Sequence, residues 1–326
     1  MLAIRPRRNR RTDAIRRMVE ETVLRPSDLV VPLFLIEGYQ KKEEVDSMPG
    51  IYRMTLDLAL KQACYYHEQG VSSVALFSAV DPSLKNLQGS EALNRKGLAV
   101  RALEIFKKEI PSLCLIADVA LDPFTSHGHD GVIDEAGSVL NDPTVKILCE
   151  MAQNYAAAGA DFVAPSDMMD GRIGAIRQAL DLSGFEEVGI LAYTAKYASA
   201  LYAPFREVLR SGLKRGDKKT YQMNPANSRE AVRQALLDIE QGADMIMVKP
   251  ALFYLDVIAH LRSKVHVPVC AYHVSGEYAM VMAAHMEGWL DAASVFLEGL
   301  LSTKRAGANF VLTYAIDQVL PRLVRS

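Results

Sequence analysis

The sequence predicts an α/β fold, a (β/α)8 TIM barrel with an extended N-terminal arm. Two observations predict it. Eight short, nearly continuous apolar runs recur along the chain, with helix-period stretches between them. Four helix-to-strand junctions repeat one phrase: Gln69-Gly70-Val71, Ala158-Gly159-Ala160-Asp161, Gln241-Gly242-Ala243-Asp244 and Ala306-Gly307-Ala308-Asn309. A glycine there takes the left-handed cap conformation at no steric cost. Eight such units fit a closed barrel, typically ~250 residues long.

The elements follow in order. Residues 1–25 form the arm and residues 26–326 the barrel. The apolar runs cover 30–36, 71–79, 113–121, 160–166, 188–194, 243–248, 267–273 and 309–314. Apolar character on both sides of each run suits strands of a parallel sheet covered on both faces. Helical periodicity marks 56–69, 92–107, 143–158, 228–241 and 290–305. A doubly wound open sheet would carry a glycine-rich phosphate turn after its first strand, and Ile36-Glu37-Gly38-Tyr39 is not one. In the arm, Arg5, Arg7, Arg8, Arg10, Arg11, Arg16 and Arg17 make the one strong charge block. Composition leaves it open whether that block is a solvated tail or docks on another subunit through carboxylates.

Composition narrows the function. The chain has 326 residues, 50% hydrophobic and 23% charged, with a formal net charge of −2. That is a globular balance and excludes a broadly basic nucleic-acid binder. Cys64, Cys114, Cys149 and Cys270 form no CxxC pair, which suits a reducing, cytoplasmic setting. No uncharged apolar run reaches the ~18 residues of a membrane span, and the basic N-terminus leads into no apolar signal segment. No membrane partner is expected.

Chemistry in a barrel sits at the carboxyl ends of the strands. Two of those ends carry a lysine directly after an apolar run: Tyr193-Thr194-Ala195-Lys196 and Met247-Val248-Lys249-Pro250. The two strands are sequential and therefore neighbours. Mutual repulsion and desolvation favour a neutral amine and pull the pKa down from ~10.4. A neutral amine attacks a carbonyl to form a Schiff base. Between Arg206 and Lys219 lie Arg206, Arg210, Lys214, Arg215, Lys218 and Lys219 against Glu207 and Asp217. Beside the lysines, this basic segment reads as a lid for a carboxylate-bearing substrate. Asp122, His127, His129 and Asp130 could hold magnesium or manganese. They could equally hydrogen-bond one another, and spacing leaves both open. His67, His260, His266 and His285 read as structural or surface groups. Met280, Met282 and Met286 read as core.

These strings together resemble the porphobilinogen synthase (5-aminolevulinate dehydratase) family. The carrying motifs are RPRRNRRTDAIRRMVEET, FSAVDPSLKNLQGSEA, IADVALDPFTSHGHDG, APSDMMDGR, YTAKYAS, FREVLRSGLKRGDKKTYQ, GADMIMVKPA, AYHVSGEYAM and VLTYA, spread over essentially the whole chain. The resemblance implies condensation of two 5-aminolevulinate molecules to porphobilinogen, with loss of two waters, in tetrapyrrole (heme) synthesis. It implies that Lys249 holds the first substrate as a Schiff base and that Lys196 engages the second. Arg206, Lys218 and Gln222 match residues that bind the second substrate's carboxylate. Ser275 and Tyr314 match the pair for the first carboxylate, and Asp118 a polar residue near the second amine. The family assembles as octamers whose arms embrace neighbours, which favours the docking role for residues 5–17.

Two departures bear on metals. Members of the zinc-binding branch carry three cysteines where this chain has Ala120, Asp122 and Asp130. The resemblance therefore points to the zinc-independent, aspartate-rich branch, with magnesium or a monovalent cation possible. A glutamate that binds an activating magnesium in many bacterial members is matched here by Gln234, and an amide is a much weaker magnesium ligand. Two other readings compete with this one. A class I aldolase would need one Schiff-base lysine and a phosphate cradle in the last loops, which VSGEY and LTYAI do not offer. A catalytically dead scaffold would not need the lysine pair.

Overall fold

The structure is a computed structural model that describes residues 2–214 and 216–324. After a 3-10 turn at Pro6–Arg10 comes the short helix α1 (Asp13–Met18). Neither contains a buried residue. Among the described residues, Leu24 is the first side chain to enter the core.

The strands are β1 (Leu29–Leu35), β2 (Lys42–Glu44), β3 (Tyr52–Met54), β4 (Ser73–Ser78), β5 (Cys114–Val119), β6 (Phe162–Pro165), β7 (Gly189–Lys196), β8 (Met245–Lys249), β9 (Val269–His273) and β10 (Phe310–Thr313). β1 and β4 to β10 pair in parallel in chain order, and β10 returns to β1 to close an eight-stranded barrel. All eight expected strands are present, within a few residues at each end. Every residue of β1 is buried, the continuous apolar signature of a strand covered on both faces. Pro32 sits inside β1 without breaking it. Its pairing is with β4, while β10 pairs only at Leu29 and Val30 and β3 only at Phe34 and Leu35. The proline therefore occupies the gap between two partners, where no ladder donor is needed.

The helices are α2 (Leu56–Glu68), α3 (Leu98–Glu109), α4 (Asn141–Ala157), α5 (Arg172–Leu182), α6 (Ala203–Val208), α7 (Arg229–Glu240), α8 (Leu255–Arg262), α9 (Ser275–Met286), α10 (Ala292–Ala306) and α11 (Ile316–Leu323). Those that pack on the barrel turn one apolar stripe inward, as Leu98, Ala102, Leu103 and Phe106 do in α3. The four junction glycines, Gly70, Gly159, Gly242 and Gly307, all have φ between +91° and +120°, as the repeated phrase requires.

Three expectations are corrected. The helix expected over 92–107 starts only at Leu98. Asn94 accepts the Lys96 amide at 2.9 Å, and such local side-chain bonding competes with the helix. The β2–β3 hairpin was not expected, because three-residue polar strands carry no readable period. Met280 and Met286 are exposed rather than core, because they lie on the outer face of α9.

Candidate active site

The apolar run of β8 ends at Lys249, which is 4% exposed. Its nitrogen lies 4.1 Å from the Tyr272 ring centroid, 4.7 Å from Phe205, 5.2 Å from Tyr193 and 5.3 Å from Tyr202. Burial in this aromatic box, reinforced by the nearby Lys196 charge, lowers the Lys249 pKa to about 7. Lys196 ends β7 and is also buried. Its surroundings are polar: it donates to Asp130 Oδ1 at 3.3 Å and to the Ser166 carbonyl. Lys249 thus has the more apolar surroundings of the two.

β7 reaches this position through an irregularity. Leu191 pairs with Met245 and Ala192 with Ile246, the register slips by one residue, and then Ala195 pairs with Val248 and Lys196 with Lys249. A one-residue slip moves a strand's later side chains to the other face. The bulge therefore sets both lysines at the same level of the barrel mouth.

Asp118, near the end of β5, opens into the same cavity and accepts the Ser166 hydroxyl at 3.1 Å. Desolvation raises its pKa to about 6, against the pull of Lys249. Asp130 follows β5 in a loop and is buried. Burial alone would raise its carboxyl, but Lys196 and Lys218 override that and hold it below the usual carboxylate range. Lys218 is 2.9 Å from Asp130 Oδ2 and 3.7 Å from Asp122 Oδ2. Burial opposes its charge, but the two carboxylates outweigh burial and raise its pKa.

The basic segment folds over this cavity. α6 supplies Phe205 and Arg206, and the loop beyond it supplies Lys218 and Gln222. Together with Asp118, Asp122, Asp130, Ser166, Lys196, Tyr202 and Lys249 they line one cavity. Its other cations divide. Arg210 pairs with Glu43 of β2 at 2.7 Å, Lys214 and Lys219 are exposed, and Arg215 lies outside the described residues. Arg53 of β3 donates to the carbonyls of Glu207 and Val208 at 3.2 and 3.4 Å, so the unexpected hairpin braces the lid.

Ser275 and Tyr314 do not line that cavity. The Ser275 hydroxyl donates to the Leu201 carbonyl and accepts from the Phe205 amide, both at 3.1 Å. The Tyr314 hydroxyl is 2.8 Å from that of Tyr272, and its ring stacks on Phe34. Phe205 touches both groups, since its ring faces Lys249 and its amide faces Ser275. Sequence reasoning singled out neither Phe205 nor Ser166. An aromatic in a basic lid and a serine after a strand carry no distinguishing signal.

The possible metal ligands are engaged elsewhere. His127 Nε2 lies 3.2 Å from the Leu87 carbonyl, and its Nδ1 accepts the His129 amide at 3.1 Å. His129 Nδ1 lies 3.1 Å from the Tyr221 hydroxyl. Asp122 and Asp130 face the Lys218 ammonium, and Ala120 contributes only a buried methyl group. This set does not fit a thiolate-bound zinc ion. Gln234 Nε2 donates to Asp238 Oδ1 at 2.8 Å, and a neutral amide is a weaker magnesium ligand than a carboxylate. Among the described residues, no group of three or more His, Cys, Asp or Glu side chains is arranged to hold a metal.

The fold and site define a (β/α)8-barrel enzyme with its functional groups at the carboxyl ends of the strands. The family model described as delta-aminolevulinic acid dehydratase matches residues 3–321. A relative of that name from Bradyrhizobium diazoefficiens is 51% identical over 99% of this chain and 91% of its own. Another from Chlamydia pneumoniae is 49% identical over 99% and 97%. The solved structure of delta-aminolevulinic acid dehydratase (porphobilinogen synthase) from Toxoplasma gondii, in complex with the reaction product porphobilinogen, is similar at a TM-score of 0.95. That chain is 47% identical, with 99% of this chain and 91% of the other covered. The chain belongs to the delta-aminolevulinic acid dehydratase family.

Proposed function

We propose that this chain condenses two molecules of 5-aminolevulinate to porphobilinogen, with Lys249 binding the first covalently and Lys196 engaging the second. The observation that carries the assignment is the pairing of a neutralised amine in an aromatic box with a charged one on a carboxylate, opposite each other in one ladder.

At pH values above about 7 Lys249 is a neutral nucleophile. It attacks the keto carbon, the keto oxygen leaves as water, and an imine forms. Displacement of the lysine by the partner substrate releases the amine again. Two keto oxygens leave as two waters, so atoms balance and no oxidant or reductant is consumed. Lys196, with its proton shared toward Asp130, is the cation on the second substrate's side. Asp118, with its raised pKa, is placed to exchange a proton between Lys249 and Ser166. Arg206, Lys218 and Gln222 hold the second carboxylate. Ser275 and Tyr314 receive the first, once the lid lifts Phe205 off the Ser275 hydroxyl.

In this reading the chain belongs to the zinc-independent branch, because Lys218 supplies the positive charge that Asp122 and Asp130 require. A magnesium or monovalent ion would be activating at most. The site is cytoplasmic, in keeping with four free cysteines. No helix among the described residues is long and apolar enough to cross a membrane. The arm, with Leu2, Ile4 and Met18 exposed, packs on a second copy within an octamer.

Borohydride reduction in the presence of 5-aminolevulinate, followed by peptide mass spectrometry, tests the reading. The first adduct is expected on the peptide containing Lys249. An adduct on Lys196 alone reverses the order, and none on either lysine refutes the function.

A further inference from the structure

The loop after β6 runs Ser166-Asp167-Met168-Met169-Asp170-Gly171 and leads into α5, whose first residue is Arg172. Arg172 is 1% exposed and among the largest fully buried side chains. Its Nη1 donates to the Met169 carbonyl at 3.2 Å, and its Nη2 donates to the Tyr193 carbonyl, also at 3.2 Å. Nε lies 3.4 Å from Asp167 Oδ2, and Nη1 3.9 Å from Asp238 Oδ1. Asp238, on α7, in turn accepts the Thr194 hydroxyl at 2.7 Å. One guanidinium thus joins its own turn, strand β7 and helix α7.

Tyr193 and Thr194 are the residues that lie between Ala192 and Ala195, where the β7–β8 register slips. A bulge loses part of its ladder bonding, and buried backbone groups freed there need other partners. Arg172 supplies one to the Tyr193 carbonyl, while Asp238 takes the neighbouring hydroxyl. An arginine suits this place because its planar fork donates in several fixed directions and stays charged. Burying such a charge between two carboxylates seldom adds net stability over an apolar side chain of similar size. Its bond into the bulge indicates a geometric task instead.

We propose that Arg172 is a positioning residue for Lys196: by holding the bulge through the Tyr193 carbonyl, it sets Lys196 opposite Lys249. Extended without the slip, the earlier register would place Ala195, not Lys196, against Lys249. This inference rests on the reading of Lys249 and Lys196 as the residues of the first and second substrate.

The test compares wild type with Arg172→Lys and Thr194→Val by borohydride trapping with 5-aminolevulinate, steady-state kinetics and thermal melting. Arg172→Lys is expected to lower kcat roughly hundredfold, the scale of a 1 Å misplacement. The Lys249 adduct should form at the wild-type yield while the Lys196 adduct is lost. Thr194→Val should give the same pattern with a smaller loss, and it decides alone if Arg172→Lys does not fold. Unchanged kcat in the folded variants, or loss of both adducts in parallel, overturns the proposal. A wild type that traps substrate on neither lysine overturns instead the reading on which it rests.

Discussion

Lys196 and Lys249 are direct partners in the β7–β8 ladder, at the last paired position of both strands. Neighbouring strands lie about 4.8 Å apart, so the two amines work on one small space. Their surroundings pull them apart chemically. Asp130 keeps a counter-charge at Lys196, while aromatic rings surround Lys249. Two identical side chains, each simply ending a strand, thus sit in different electrostatic surroundings.

Adduct formation on Lys249 should follow that difference. Because its pKa is lowered to about 7, the amine is protonated and inert below that pH and neutral above it. The rate of borohydride-trapped adduct formation should rise from pH 6 to pH 8 and level off. A rate still climbing toward pH 10 would show an ordinary lysine. Lys249→Met, which refills the aromatic box, should fold and lack turnover.

The two lid cations should separate in their effects. Arg206→Ala should weaken the second substrate roughly tenfold to hundredfold, as expected for losing a charge-assisted contact of ~1.5–3 kcal/mol, with little change in Tm. Lys218→Ala should do the same and also destabilise the fold by about 3–5 kcal/mol, because Asp122 loses its ammonium partner in the interior and Asp130 keeps only Lys196. Kinetics and melting curves of both variants check this.

Treatment with a chelator should lower kcat modestly at most, and added zinc should not raise it. Gln234→Glu should change that picture. It replaces a 2.8 Å hydrogen bond to Asp238 with two facing carboxylates. The variant should melt at a lower temperature in chelator and recover when magnesium is added. Equal melting with and without magnesium would contradict it.

A side chain at position 276 should impair the lid. A β-carbon on Gly276 would stand 2.6 Å from the Leu201 carbonyl oxygen and 2.8 Å from its Cα. Both are backbone atoms at the root of α6, so the segment must shift. Gly276→Ala should raise KM about tenfold or more and reduce kcat less, since a lid displacement acts first on substrate capture. Unaltered KM would contradict this.

Much of this was legible in the sequence. The barrel strands show as apolar runs because each is covered on both faces, and the lysines show because each ends such a run. Arg206, Lys218 and Gln222 line one cavity with the lysines, whereas Ser275 and Tyr314 do not. The bulge was not legible. Ala192-Tyr193-Thr194-Ala195 reads like any other strand segment, and a slip exists only relative to a partner. Arg172 was equally silent, because in DMMDGR it looks like one more charged residue at a turn. Its meaning lies in which carbonyl it reaches across the fold.

The barrel's closing seam has a consequence for synthesis. β1 meets β10 at only two positions, Leu29 with Val311 and Val30 with Leu312, whereas it meets β4 at six. The last contact joins residues nearly the whole chain apart, and such long-range pairing forms late. A ribosome can assemble β1 through β9 as an open, curling sheet, but the ring cannot close until β10 has cleared the exit tunnel. Until then the free edges of β1 and β9 remain exposed to other nascent chains. Elongation pauses before β10 is complete would therefore prolong the period when this chain is most prone to aggregate.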